Sequence, residues 1–97
     1  MSDETPENSH FFTLEVINKM GVHARPAAMI VRIASSFPGE IWVTKKNGER
    51  VNAKSIMGIM MLAAARGSEL TFECKPSDAS ELEKQMTELF SAKFQDE

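Results

Sequence analysis

The apolar residues of this chain change period along its length, from two to 3.6 and back, and the order of those changes leaves few folds open. From Phe11 onward, Leu14 and Val16 fall on one side while Thr13 and Glu15 fall on the other, which predicts a half-buried strand. Asn18-Lys19-Met20-Gly21 interrupts it as a loop, with Gly21 able to take positive φ. Pro26 is tolerated only in a first helical turn, and behind it Ala27, Ile30, Val31 and Ala34 recur at helical spacing until Pro38-Gly39 stops them. That helix start puts His23 at or beside the N-cap. Residues 41–44 and 50–53 read as two strands joined through Asn47-Gly48, a pair suited to a type I′ turn with positive φ at both positions. Ser55, a favoured N-cap, opens a short helix over the apolar residues 56–62, which Gly67 ends. Leu70, Phe72 and Cys74 alternate with Thr71, Glu73 and Lys75 as a fourth strand. Asp78 with Glu81 resembles a capping box ahead of a last helix striped by Leu82, Met86, Leu89 and Phe90.

The resulting order is βαββαβα. Since one pair of strands forms a hairpin and every helix needs an apolar face to cover, the economical arrangement is one antiparallel sheet with the helices on a single side, an α+β fold. Ninety-seven residues supply one such domain. Residues 1–10 read as a flexible acidic tail, 11–92 as the domain and 93–97 as a frayed C-terminus.

Charge and composition exclude several chemistries. Fourteen acidic against eleven basic residues leave a net charge of −3, where a nucleic-acid binder needs a basic stripe. Cys74 is the single cysteine and has no internal disulfide partner; it suits a buried strand position and needs no redox role. Two histidines spaced this far apart do not make a zinc site, so neither metal nor cofactor is expected. The longest apolar run, 56–65, falls short of the ~18 residues a membrane helix needs. Met1 to His10 has no basic start and no apolar core, so a cytoplasmic protein is expected; the chain is also expected to be a monomer.

Two places in the sequence can carry chemistry or recognition. A histidine at a helix start sits where backbone N–H groups and the positive end of the helix dipole favour an anion. Pro26 withholds its donor, so the N–H groups of Ala24, Arg25 and Ala27 are the candidates, and the Arg25 guanidinium adds a fork suited to phosphoryl oxygens. A cap histidine beside an exposed arginine is also common in proteins without such a role, and these residues alone leave both readings open. No serine, cysteine or second histidine offers a triad nearby. In the second place, apolar residues surround the axis of the short helix: with Ile59 and Leu62 facing the core, Ile56, Met57 and Met60 must lie largely outside. Exposed methionine-rich surface suits an adaptable docking site. Ser55 has an ordinary role as N-cap, and it also adjoins that patch, where a phosphate would add up to about two negative charges.

Gly21-Val22-His23-Ala24-Arg25-Pro26-Ala27-Ala28 resembles the active-site segment of the HPr family, the histidine phosphocarriers of the bacterial phosphotransferase system. Lys54-Ser55-Ile56-Met57-Gly58-Ile59-Met60 resembles that family's regulatory-serine segment, and the likeness runs from about Phe11 to Phe90. The resemblance implies an open-faced β-sandwich, a four-stranded antiparallel sheet with three helices on one face. It implies that His23 accepts a phosphoryl group at Nδ1 from enzyme I, charged by phosphoenolpyruvate, and passes it to a IIA domain, with Arg25 stabilising the group in transfer. On the same ground Ser55 falls on the serine that HPr kinase/phosphorylase modifies, and Ile56, Met57 and Met60 on partner-docking positions. Such a protein is a relay rather than an independent catalyst. Asn18-Lys19-Met20-Gly21, Met61 and the Phe-Gln-Asp-Glu ending resemble the nitrogen-related (NPr-like) branch, whose acceptor is a nitrogen-type IIA, whereas the Ser55 segment favours the serine-kinase-regulated branch. The rival class is a non-catalytic interaction module that uses only the Met57/Met60 patch.

Overall fold

The computed structural model describes residues 9–95. Its elements follow the predicted order: β1 (His10–Glu15), α1 (Ala24–Ser35), β2 (Trp42–Lys45), β3 (Arg50–Asn52), α2 (Ile56–Met61), β4 (Glu69–Cys74) and α3 (Pro76–Ser91). The strands lie side by side as β1-β4-β2-β3 and every pairing is antiparallel. Three helices cover one face, which makes the open-faced sandwich.

Register explains why the sheet has one dry side. Phe12 pairs with Phe72, Phe72 with Val43 and Val43 with Val51, so one apolar row crosses all four strands. Because side chains alternate, the adjacent row of Phe11, Glu73, Trp42 and Asn52 points away from the helices. On that open side the Arg50 guanidinium lies 4.2 Å from the Trp42 ring centre and 3.5 Å from the Glu73 carboxylate. Beneath the helices the aromatic rings form a chain: Phe12 stacks on Phe72 at 5.2 Å, Phe72 meets Phe90 edge-on at 6.0 Å, and Phe90 meets Phe94 at 4.8 Å. Each fully buried side chain of this kind contributes about 1.5–3 kcal/mol.

Several expectations are corrected. β1 begins at His10, inside the stretch assigned to the tail; His10 pairs with Cys74, and its Nε2 lies 3.3 Å from Glu83 Oε1. Residues 1–8 of that tail lie outside the described residues. β2 is displaced by one residue and β3 stops at Asn52. Between Thr44 and its partner Arg50 run five residues rather than a two-residue turn, and Asn47 (φ 65°) has positive φ where Gly48 does not. The Gly48 N–H closes this turn onto the Lys45 carbonyl at 2.7 Å. A longer connection needs only one left-handed residue to reverse the chain.

α2 stops at Met61, well before Gly67, because Ala63 turns left-handed (φ 50°) and directs the chain toward the loop before α1. α3 starts with Pro76 at its first position, capped by the extended backbone of Lys75, so Asp78 lies inside the first turn and heads no capping box. Proline's fixed φ sets the helix start there. The frayed C-terminus is also revised: Lys93–Gln95 form a tight left-handed turn that buries Phe94 completely against Phe90. Residues 96 and 97 lie outside the described residues.

Candidate functional site

A short loop sets the position of His23. Asn18 is buried, and its Nδ2 donates to the Gly21 carbonyl at 2.8 Å. Gly21 takes φ 72°, and a Cβ placed there would come within 2.6 Å of the Ala64 carbonyl oxygen, so glycine is required on two counts. That close approach lets the Val22 N–H donate to Ala64 at 2.9 Å, which fastens the loop to the segment following α2. Val22 is buried, and the chain emerges at His23 as the extended N-cap of α1, its ring half-buried and forming no capping bond to the helix.

The first turn of α1 carries no acidic residue, so nothing within it offsets the positive end of the dipole. Pro26 is buried and has no N–H. Ala27, one of the three expected donors, is removed from the set because its N–H already bonds the His23 carbonyl at 2.9 Å, the first bond of the helix. The N–H groups that point out of the helix end are those of Ala24 and Arg25, and both residues are exposed. Backbone donors and a guanidinium therefore lie in the same turn as the imidazole, a setting for an anion attached to or approaching the ring.

At α2, Ser55 Oγ accepts from the Gly58 N–H at 2.9 Å, the expected N-cap bond. Lys54 Nζ donates to the Phe37 carbonyl at 2.6 Å, just past the end of α1. Ile59 and Leu62 are buried, while Ile56, Met57 and Met60 are 46%, 72% and 43% exposed, as the helical spacing demands. Met61 and Met20 are exposed as well, at 72% and 69%. Met61 was legible: it lies about 200° around the helix from Ile59 and four residues beyond Met57. Met20 had no periodic signal, since it belongs to the loop between β1 and α1. Cys74 is buried in β4 and its thiol is pushed up to about 11, first by burial and then by Asp78, Glu83 and Glu73, which keeps it protonated. Among the described residues no cluster of three His, Cys, Asp or Glu side chains is placed to hold a metal, and no helix is long and apolar enough to cross a membrane.

Comparison with known proteins gives a consistent result. The family model described as "PTS HPr component phosphorylation site" matches residues 11–92. Phosphocarrier protein HPr of Neisseria meningitidis is 46% identical over 82 residues, covering 84% of this chain and 91% of the relative. HPr of Treponema pallidum is 46% identical over 85 residues, covering 88% and 96%. Among solved structures, HPr from Thermoanaerobacter tengcongensis superposes with a TM-score of 0.81 at 44% identity, covering 91% of this chain and 98% of that one. HPr from Bacillus anthracis gives 0.72 at 42% identity, covering 80% and 92%.

Proposed function

The chain belongs to the HPr family and is a phosphocarrier of the phosphotransferase system, and from that premise we propose that His23 is the residue carrying the phosphoryl group. The observation behind this reading is the place of His23: N-cap of α1, ring uninvolved in capping, with the Ala24 and Arg25 N–H groups in the turn that follows. The Nδ1 lone pair attacks the phosphorus of the phosphoryl donor, enzyme I. A new N–P bond forms as the donor's bond to phosphorus breaks and the donor atom keeps the electron pair. In the second half-reaction a nucleophile of a IIA domain, from a sugar permease or of the nitrogen type, displaces the His23 nitrogen in the same sense. Positioning and charge stabilisation supply the catalysis of such transfers, so the Arg25 guanidinium and the two backbone donors need only hold the equatorial oxygens in line. The chain works as a cytoplasmic relay between partner enzymes.

Fast exchange between two partners requires a small apolar contact rather than a large interface. The exposed Ile56, Met57, Met60 and Met61 of α2 supply that contact, and the bond from the Val22 N–H to Ala64 ties the segment after α2 to the loop that carries His23. Incubation with enzyme I and labelled phosphoenolpyruvate should yield acid-labile, alkali-stable label that His23→Ala eliminates while keeping the native circular dichroism spectrum. Undiminished label in that variant overturns the assignment. Met57→Asp should slow transfer at low partner concentration and leave the maximal rate near that of the unsubstituted chain. If only a docking function existed, His23→Ala would change nothing while Met57→Asp abolished partner binding.

A regulatory reading is favoured by one further observation, that the capping Ser55 directly precedes the exposed Ile56 and Met57. HPr kinase/phosphorylase would move the terminal phosphoryl group of ATP to Ser55 Oγ, releasing ADP and the hydroxyl proton. Added charge beside an apolar patch would weaken docking of enzyme I. Mass spectrometry after exposure to kinase and ATP should locate phosphate on Ser55, and an unmodified chain removes this reading.

A further inference from the structure

The net charge of the chain conceals an uneven distribution. All eleven Lys and Arg residues fall between positions 19 and 93, whereas five of the fourteen acidic residues fall in 1–8 and 96–97, so residues 9–95 hold eleven basic against nine acidic side chains. Part of that excess gathers in one open depression of about 450 Å³ where the end of β1, the Arg66-Gly67 turn and the C-terminal turn meet. Lys19, Arg66 and Lys93 line it from three separate segments, with Glu15, Val16, Ile17 and Gly67 completing the wall. Two backbone hydrogen bonds frame it, from Gly67 N–H to Val16 (2.7 Å) and from Val16 N–H to Ser68 (2.8 Å). Among the described residues none of the three cations has a carboxylate within ion-pairing distance. Cationic side chains lining one depression favour an anion there.

We infer that this depression binds a small phosphate-bearing anion of at least two negative charges, at a site separate from His23. Among the described lining residues, three cations stand against one carboxylate, Glu15, an excess that a monoanion does not neutralise. One arginine and two lysines line it, and guanidinium and ammonium groups both suit phosphoryl oxygens. The volume suits a compact ligand such as a diphosphate or a phosphate monoester. None of His23, Ala24 and Arg25 lines the depression, yet Lys19 belongs to the loop that positions His23, so a ligand here would touch the base of that loop.

The test is titration of the full chain with inorganic pyrophosphate, followed by amide chemical shifts. Saturable shifts at Ile17, Lys19, Arg66, Gly67 and Lys93 are expected. Arg66→Gln and Lys93→Gln, both on exposed side chains, should each weaken binding about tenfold, the scale of one lost charge-assisted contact. His23→Gln should bind as the unsubstituted chain does. Shifts centred on Ala24 and Arg25, a linear response without saturation, or unchanged affinity in both variants would overturn the site. Citrate binding as tightly as pyrophosphate would overturn its assignment to phosphate.

Discussion

Substitution of Gly21 tests how the fold holds the phosphocarrier loop. An alanine would have to keep φ 72°, a left-handed conformation that costs an L-residue about 1–2 kcal/mol. Its Cβ would lie 2.6 Å from the Ala64 carbonyl oxygen and 3.0 Å from Ala65 Cα, both backbone atoms, so no side chain can swing aside. Retreat of that carbonyl stretches or breaks its bond with the Val22 N–H, worth about 1 kcal/mol net and more if the donor stays buried and unpaired. Together these give a loss of about 2–4 kcal/mol, which lowers the melting temperature of a domain this size by roughly 10–25 °C. Gly67→Ala is the matched control: φ is 93°, but no atom lies within 4 Å of the added Cβ, so only the backbone contribution of about 1–2 kcal/mol applies. Unfolding of both variants by circular dichroism in urea separates the two contributions, and Gly21→Ala should also phosphorylate more slowly below its melting temperature. Equal losses in the two variants, or a Gly21→Ala protein as stable as the unsubstituted chain, would refute the reasoning.

Phe94→Ala should cost about 3–5 kcal/mol in urea unfolding, because its ring is fully buried against Phe90; a frayed end would make the change silent. Ser55→Ala should lose about 1 kcal/mol with its capping bond, whereas Ser55→Asp, which also accepts from the Gly58 N–H, should retain most of the stability. Cys74 makes stability fall at high pH. Its thiol ionises at about 11 when folded against 9.0 ordinarily, so between these values the unfolded chain binds fewer protons and is favoured. Urea unfolding should show no contribution from this group below pH 9 and a decline from 9 to 11 that is shallower in Cys74→Ala.

Much of this protein is decided locally. The alternation of Leu14 and Val16 with Thr13 and Glu15, the helical spacing behind Pro26 and the Ser55 cap each specify an element through contacts a few residues apart, so element order and the N-cap position of His23 follow from the sequence. The outward face of α2 follows too, since a six-residue helix that buries Ile59 must turn Met57 away. Tertiary structure decided what depends on residues distant in the chain. α2 ends at Met61 because Ala64 must reach Val22, β1 extends to His10 because Cys74 offers it a partner, and Phe94 is drawn inward because Phe90 leaves a place for it. The convergence of Lys19, Arg66 and Lys93 belongs to the same class. Periodicity and capping are short-range and leave a trace in adjacent residues, whereas the meeting of separate segments depends on how the packed elements close, which no local pattern encodes.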